Sequence, residues 1–372
     1  FLPSMQADLS WDYLIAGSMN TANALGYLLG AIFFPFFVKN FGARFLFIFG
    51  GFFTSIFIGI CGLFTDSFII FSTRLLAGIF SALIFISGGL LISQLSMKYQ
   101  KQSGWLIGIY YSGGGLGIII SSFLIPFIIN TGQSFEFEYP WQLAWLILGI
   151  LSLFFSFLMW ISSNFFSKII LRQITSKLVS HEKFYFISIA YFLFGLGYIG
   201  YITFIISFLN EMEFDNSKIS FFYACLGFFV ILSSKFWSRF LDKYKGGECL
   251  GIINLILGFS CLIPNILAIN SNINTGYITT ILVFLSGALF GLCIFSAVAS
   301  TTAFIKHNFS EKYWVKIITI FTCVFGVGQI IGPSMTGFIS DNFSLGYGFL
   351  FSSLLLFVGS VFAFLQRPLL NK

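Results

Sequence analysis

Charge is scarce in this sequence, and its scarcity excludes the soluble fold classes. Only 9% of the 372 residues are Asp, Glu, Lys or Arg, whereas 58% are hydrophobic and the mean hydropathy is +0.95. A soluble domain of this composition would expose a very large apolar surface to water. We therefore expect a lipid bilayer to surround the chain.

Residues that ligate metals, bind nucleotides or form disulfides are also few. The chain has six Cys and two His, and no two Cys form a Cys-x-x-Cys pair. No stretch matches the Gly-x-x-x-x-Gly-Lys-Ser/Thr loop that binds phosphates, and no predicted span holds the convergent His, Asp, Glu or Ser groups of a membrane-embedded transferase. We expect no metal, no cofactor and no enzymatic activity. His181 and His307 are expected to be solvated loop residues.

Apolar stretches of about 20 residues, the length of a helix that crosses a bilayer, follow one another along the chain. Eleven of them are bounded by charged or turn residues. The sequence thus predicts an all-α membrane protein. Its spans are expected near residues 12–38, 45–64, 68–95, 104–129, 141–161, 184–209, 219–240, 250–269, 277–304, 314–339 and 346–365.

Basic residues collect in every second loop between these spans. Of the 19 Lys and Arg residues, all except Arg74 and Lys218 belong to one set of alternate loops and their helix ends. Loops rich in Lys and Arg stay in the cytoplasm, so the C-terminus is expected there and Phe1 outside. This topology explains the net charge of +6 without a nucleic-acid partner. Because Phe1-Leu2-Pro3 reads like the last turn of a helix, we expect one further span before it and twelve in all.

The longest basic connection divides the chain into two halves. We expect an N-terminal helix bundle over residues 1–162, a cytoplasmic linker over 163–183 and a C-terminal bundle over 184–372. Gly115-Leu116-Gly117 and Gly326-Val327-Gly328 take the same place in the two halves, as a parallel repeat predicts. Chance recurrence of small residues in membrane helices is the alternative.

Several motifs accompany this pattern. Residues 74–78 read RLLAG, the first basic turn at 39–44 reads KNFGAR, and the matching turn of the second half contains Asp242-Lys243. The most distinctive stretches are residues 23–30, 191–198 and 325–333. The turn motifs and RLLAG resemble the major facilitator superfamily. The distinctive stretches resemble its YbfB/YjiJ-like bacterial branch.

The resemblance implies two six-helix bundles around a central cavity, and secondary transport of a small solute by alternating access. It also implies that the two turn motifs help to hold one conformation. In the first turn Gly42 and Arg44 match the family pattern, but Lys39 stands where the family has Asp. In the second turn Asp242 and Lys243 are kept.

Arg74 is the only ionisable residue well inside a predicted span, and Gly78 ends its motif. It lies roughly 12 Å from the outer boundary at 1.5 Å per residue. A charge at that depth is costly unless it meets water or a partner. Two interpretations are open: a cavity-facing cation that takes part in solute binding or proton movement, as the resemblance implies, or an Arg that caps backbone carbonyls and fixes helices together.

Gln329 lies in the middle of a predicted span, between Gly328 and Pro333. Proline removes one backbone hydrogen bond and small residues let another helix approach. The Gln329 amide could therefore bond a solute or the freed carbonyl. A glycine series in the span over 104–129 allows either a pliant helix or tight static packing, at Gly113, Gly115 and Gly117.

Neutral hydrogen-bonding side chains at membrane depth are further candidates for solute contact, and each could instead bond a neighbouring helix. In the first and sixth predicted spans they are Asn20, Asn23, Tyr27, Tyr198, Tyr201 and Thr203. No buried carboxylate is expected in a span. Asp12, at the outer end of the first span, is therefore the nearest candidate for proton coupling, and a solvated helix-start residue is the alternative.

The sparse charge favours a neutral or amphiphilic solute. We expect a monomeric secondary transporter of a bacterial inner membrane, with efflux as the direction and protons as the coupling ion. A transporter-like sensor or another membrane protein that does not transport is the alternative.

Overall fold

The computed structural model describes residues 2–11, 13–166, 184–269 and 276–369. Asp12, His181 and most of the predicted linker lie outside the described residues. Short 3₁₀ turns at Gln100–Gln102 and Ser163–Phe166 accompany the α-helices. The helices are α1 (Leu2–Leu9), α2 (Tyr13–Phe41), α3 (Ala43–Ile60), α4 (Ser67–Lys98), α5 (Ser103–Ser134), α6 (Pro140–Ser162), α7 (Tyr185–Glu211), α8 (Asn216–Lys243), α9 (Glu248–Ile269), α10 (Tyr277–Asn308), α11 (Glu311–Asn342) and α12 (Leu345–Leu365).

Within the described ranges, 11 helices, α2 to α12, are long and apolar enough to cross a membrane. The predicted all-α membrane fold is confirmed, and most helix ends lie a few residues from the predicted ones. α5 continues past residue 129 through a polar segment, where the Ser134 hydroxyl donates to the Asn130 carbonyl at 2.9 Å. α3 ends early because the chain turns after Ile60, with Gly62 N–H donating to Gly59 O at 3.0 Å.

The described residues form two compact units. The first consists of the described parts of Phe1–Gln94, Phe123–Thr175 and Ile318–Gly326. The second consists of those of Leu95–Ser122, Ser176–Ile317 and Val327–Lys372. The expected division into bundles at residues 163–183 stays a prediction.

Small residues bring the helices of the first unit together. Ser55 of α3 and Ser156 of α6 have their hydroxyl oxygens 3.1 Å apart. Gly78 of α4 packs directly on α2, since a Cβ at this position would lie 2.1 Å from the Asn23 carbonyl oxygen. Such close backbone approach is typical of membrane helices, whose association depends on packing and hydrogen bonds.

Side-chain hydrogen bonds join the helices of the second unit. α12 packs against α7 and α9, and α10 packs against α8 and α9. Ser353 and Ser360 of α12 donate to α9 carbonyls at 2.8 and 2.7 Å. Asn265 of α9 donates to the Gly346 carbonyl of α12 at 2.8 Å. These bonds satisfy polar groups where hydrocarbon offers no alternative partner.

The glycines of α5 differ in what surrounds them. A Cβ on Gly115 would lie 2.5 Å from the Gly227 carbonyl oxygen of α8, whereas a Cβ on Gly113 or Gly117 would meet nothing within 4 Å. Gly115 is therefore required where the backbones of α5 and α8 meet. Its two neighbours on the opposite face are not required for this contact.

We expect Gly115→Ala to destabilise the protein by about 1 to 3 kcal/mol, the usual cost of overpacking, because the added methyl group would meet backbone that cannot move aside. Gly113→Ala is the matched control. It is expected to be neutral, or stabilising by up to about 1 kcal/mol, because Ala is the better helix former. Thermal unfolding in detergent measures both variants. Equal transition temperatures would contradict the close α5 to α8 packing.

Candidate functional site

Three aromatic rings form a stacked row on α7 in the second unit. Tyr191, Phe194 and Tyr198 follow one another at helical spacing, so they share one face of the helix. Their ring centroids are 5.7 and 4.8 Å apart and the rings are nearly parallel. All three side chains are buried. α7 thus presents an aromatic surface edged by two phenolic hydroxyls.

Gln329 of α11 meets this row. Its Nε2 donates to the Tyr198 hydroxyl, and Gly328 beside it packs against α7 at Phe192. Pro333, inside α11, removes the N–H that would have bonded the Gln329 carbonyl. In the structure the Gln329 amide group thus bonds a side chain of another helix, and solute bonding by this amide stays a prediction.

Two further pairs of hydroxyl groups involve residues of α5 and α10. The Tyr111 hydroxyl of α5 lies 2.8 Å from Thr302 Oγ1 of α10. Tyr191 interacts with the Thr301 side chain. Sequence reasoning missed these residues. The signal that could have found them is the pairing of polar residues in apolar spans, Tyr110-Tyr111 and Thr301-Thr302.

The cluster on α5, α7, α10 and α11 is neutral. Its polar groups are hydroxyls and one amide, and each can donate and accept hydrogen bonds. Stacked rings beside them supply an apolar surface. The arrangement can bind a solute that has hydroxyl, amide or carbonyl groups on one side and an apolar face on the other. We call Tyr111, Tyr191, Tyr198, Thr302 and Gln329 the hydroxyl cluster.

Other neutral candidates do not join the hydroxyl cluster. Tyr201 is fully buried, with its hydroxyl 2.8 Å from Ser286 Oγ. Thr203 is exposed and donates to the Ile199 carbonyl of its own helix at 2.7 Å. In the first unit, Asn20 is exposed. Tyr27 of the same unit lies edge-on to Phe85 with centroids 6.2 Å apart.

Arg74 lies seven residues into α4, in the first unit. Its guanidinium carbon is 5.3 Å from the centroid of the Trp145 ring of α6, a cation–π contact. Its Nε is buried and has no hydrogen-bond partner among the described residues, and no carboxylate pairs with it there. A cation–π contact is worth about 0.5 to 2 kcal/mol, less than a buried unpaired cation costs. Arg74 therefore retains the capacity to bind an anion or a polar solute.

The backbone of Arg74 is held by α2. Asn23 Nδ2 donates to the Arg74 carbonyl oxygen at 3.0 Å, one turn before the close contact of Gly78 with Asn23. Thr73, the residue before Arg74, has its Oγ1 3.0 Å from Cys61 Sγ. Asn23 thus positions the helix segment that carries the cation.

In the turn between α2 and α3, the motif residues Gly42 and Arg44 have different roles. Gly42 has φ of +79°, a conformation that L side chains rarely adopt. Arg44 donates to Ser163 Oγ at 3.2 Å and to Asn164 Oδ1 at 2.5 Å. Arg44 therefore ties α3 to the 3₁₀ turn after α6 within the first unit.

Asp242, in the last turn of α8, binds the start of α5. Its Oδ1 accepts a hydrogen bond of 2.7 Å from the Gly104 N–H, and the partial positive charge of a helix N-terminus favours a carboxylate there. Lys306 of α10 donates to the Ser103 hydroxyl beside Gly104. Lys243 is exposed. Asp242 and Lys306 thus join α8 and α10 to the same end of α5.

One expectation from the sequence is wrong at this end of the helices. His307 lies in the last turn of α10, not in a loop, and is half-buried with Nε2 2.9 Å from the Leu241 carbonyl oxygen. Glu248, the first residue of α9, has its Oε2 buried without a hydrogen-bond partner among the described residues. Glu248 lies two residues before the predicted span over 250–269, so the expectation that no predicted span holds a buried carboxylate is not contradicted. Hydropathy averages hide such end residues because the rest of the helix is apolar.

Comparisons with known proteins agree with this fold. A family model described as "Uncharacterised MFS-type transporter YbfB" matches residues 1–364. A comparison with curated protein sequences found no match. Among solved structures, the chain is similar to the MFS transporter FucP in the outward conformation, with a TM-score of 0.72 and 13% identity over 98% of this chain and 92% of that chain.

Two further solved structures have the same fold. The proton:xylose symporter XylE has a TM-score of 0.73 at 11% identity, over 98% of this chain and 90% of that chain. The human organic anion transporter MFSD10 has a TM-score of 0.69 at 12% identity, over 97% of this chain and 88% of that chain. The chain is therefore a multi-pass membrane protein with the major facilitator superfamily fold. It belongs to the YbfB family of MFS-type transporters.

Proposed function

We propose that this MFS-type transporter moves a small neutral or amphiphilic solute by alternating access, with efflux as the direction. The observation that carries the proposal about the solute is the hydroxyl cluster. Its phenol, hydroxyl and amide groups can exchange hydrogen bonds with a solute, and its stacked rings can pack on an apolar face. A fully charged solute would find no counter-ion among these five residues.

Proton coupling is the second part of the proposal. It is supported by the Asp242 carboxyl group, which is partly buried at the basic end of α8 and accepts from the Gly104 N–H. A proton that arrives at a carboxylate bonded to a helix N-terminus weakens that bond. Asp12 stays a candidate and lies outside the described residues.

Alternating access requires helix contacts that open and close. We propose that the contact of α5 with α8, which runs from Gly104 at Asp242 to Gly115 at Gly227, opens in the other state of the cycle. It is a good candidate because its hydrogen bonds are few and one end of it is a charged group near the membrane surface. The packing of α12 with α9 is held by more buried hydrogen bonds.

The proposed topology places the basic helix ends and the C-terminus in the cytoplasm of a bacterial cell, with the protein monomeric in the inner membrane. The basic loops support this orientation. Residues 163–183 would then be a cytoplasmic connection between the N-terminal and C-terminal bundles.

Solute flux into proteoliposomes with an imposed pH gradient tests the proposed function. Neutral and amphiphilic solutes are expected to move faster than in protein-free vesicles, and the rate is expected to follow the sign of the gradient. No flux for any such solute would contradict transport. Equal flux without a gradient would contradict proton coupling alone.

Tyr198→Phe is expected to raise the half-saturation concentration of the transported solute about 5- to 10-fold, since one hydrogen bond contributes about 1 kcal/mol. Tyr201→Phe is the matched control. It also removes one phenolic hydroxyl group from α7, but the Tyr201 hydroxyl lies outside the hydroxyl cluster and bonds Ser286. It is expected to lower thermal stability and to leave the half-saturation concentration within about twofold. Equal effects of both variants on that concentration would argue against the hydroxyl cluster as the solute site.

A further inference from the structure

Three cations form one exposed stripe on the last part of α8. Lys235, Arg239 and Lys243 are spaced four residues apart, so they lie on one face of the helix. All three are exposed. Eight residues separate the first from the last, which is roughly 12 Å along the helix axis. The stripe therefore runs along about the last two turns of α8.

The other faces of α8 are occupied by neighbouring helices. Trp237 is buried and its Nε1 donates to the Leu292 carbonyl of α10 at 2.8 Å. Ser234 and Ser238 pack against α5, where a Cβ on Gly104 would lie 2.2 Å from the Ser238 carbonyl oxygen. The cationic stripe lies outside these packed faces. It is open to the surroundings of the protein.

Among the described residues, no carboxylate forms an ion pair with the stripe. Within the described ranges, the one ion pair of the protein joins Lys218 to Asp215 at the opposite end of α8. Asp242 is next to Lys243 in sequence, but its Oδ1 accepts from Gly104. Lys243 Nζ lies 5.3 Å from the centroid of the Tyr244 ring. Three positive charges are thus concentrated on one open helix face.

Exposed apolar side chains continue the stripe toward the middle of the membrane. Phe228 and Leu232 lie seven and three residues before Lys235, so they share its helix face, and they are 56% and 42% exposed. Phe236 flanks the cations, is 48% exposed, and begins a row in which Phe236, Phe240 and Tyr244 stack with centroids 6.1 Å apart. The surface therefore has a cationic part at the helix end and an apolar part above it.

We infer that this face of α8 binds one anionic phospholipid, with its phosphate on Lys235, Arg239 and Lys243 and its acyl chains on Phe228, Leu232 and Phe236. Charge complementarity selects this occupant. The headgroup of a zwitterionic lipid would bring a positive charge of its own beside these three cations. The connection over residues 163–183 carries four basic residues and one acidic residue, so its net charge does not complement that of the stripe. Arg239 can hold a phosphate through two parallel N–H···O bonds, and its neighbours add point charges.

The test is native mass spectrometry of the full chain. Phosphatidylglycerol or phosphatidylcholine is added to the protein in detergent, and the lipid that stays bound after release from the detergent is measured. The wild type is expected to retain one phosphatidylglycerol and to retain phosphatidylcholine at least about fivefold less. The variant Lys235→Gln/Arg239→Gln/Lys243→Gln is expected to lose phosphatidylglycerol affinity about tenfold. Inorganic phosphate at the same concentration is not expected to displace the lipid.

The matched control is Lys39→Gln/Lys98→Gln/Lys101→Gln, which removes the same number of exposed basic residues from other helix ends. It is expected to keep wild-type affinity for phosphatidylglycerol. The single variant Arg239→Gln, expected to fall between the wild type and the triple variant, checks the result in a less altered protein. Equal losses in both triple variants would show nonspecific attraction to surface charge and overturn the inference. Equal retention of both lipids by the wild type would overturn it as well.

Discussion

Arg74→Ala is expected to reduce solute flux about 10- to 100-fold, because hydrogen bonds to a charged group contribute about 1.5 to 3 kcal/mol. The guanidinium carbon lies 5.3 Å from the centroid of the Trp145 ring, and the buried Nε has no hydrogen-bond partner among the described residues. It does not cap a carbonyl there, so its donors are available to a solute or to an anion during transport. Flux of the same solute in proteoliposomes with an imposed pH gradient measures the loss.

Arg74→Lys is the matched control for charge. Lysine keeps the positive charge but loses the planar group that stacks on Trp145 and the Nε donor, so we expect an intermediate flux. Thermal unfolding separates the two interpretations of Arg74. A large loss of stability with unchanged flux per folded molecule would identify Arg74 as a residue that holds α4 to α6 and not as part of the transport mechanism.

Asp242→Ala is expected to increase the fraction of molecules in which the α5 to α8 contact is open, about 10- to 100-fold. The variant loses the charged hydrogen bond to Gly104 and leaves Lys306 without a nearby carboxylate. The readout is the rate at which a thiol reagent labels Ser234→Cys in a background without native Cys. Ser234 is buried against α5. Its labelling therefore reports how often this contact opens.

Asp215→Ala is the matched control for the loss of a carboxylate. Asp215 caps the other end of α8, with Oδ1 accepting from the Lys218 N–H at 2.7 Å, and this bond lowers the pKa of the Asp215 carboxyl group. Its removal is expected to leave labelling at Ser234→Cys unchanged. The same rate in the Asp242→Ala variant and the wild type would contradict the proposal that Asp242 holds this contact closed.

Much of the fold could be predicted from the sequence because membrane insertion depends on local hydropathy. The predicted spans agree with the helices to within a few residues over most of the chain. The differences are instructive. Residues 130–134 are polar yet helical, since the helix ladder and the Ser134 to Asn130 bond satisfy their backbone. His307 was assigned to a loop because a charged segment follows the apolar run, although α10 continues to Asn308.

The candidate sites were less predictable. Arg74 stood out because a charge in an apolar span is rare and costly, and Gln329 because it lies between a glycine and a proline. Tyr111 and Thr302 gave only a weak signal, since Tyr and Thr are tolerated at many positions in membrane helices. Gly113, Gly115 and Gly117 could not be told apart by sequence, because which face of α5 meets α8 is not encoded in their spacing.

The sequence by itself determined that this protein is a multi-pass helical membrane protein, approximately where its spans lie, and which family it resembles. Hydropathy, basic loops and short motifs are local properties, and each can be read within about 20 residues, the length of one span. Only the tertiary structure decided that Gln329 bonds Tyr198, 131 positions away, and that Asp242 accepts from Gly104, 138 positions away. Such contacts depend on how whole helices rotate and pack against one another, and small changes in packing would pair each of these side chains with a different partner.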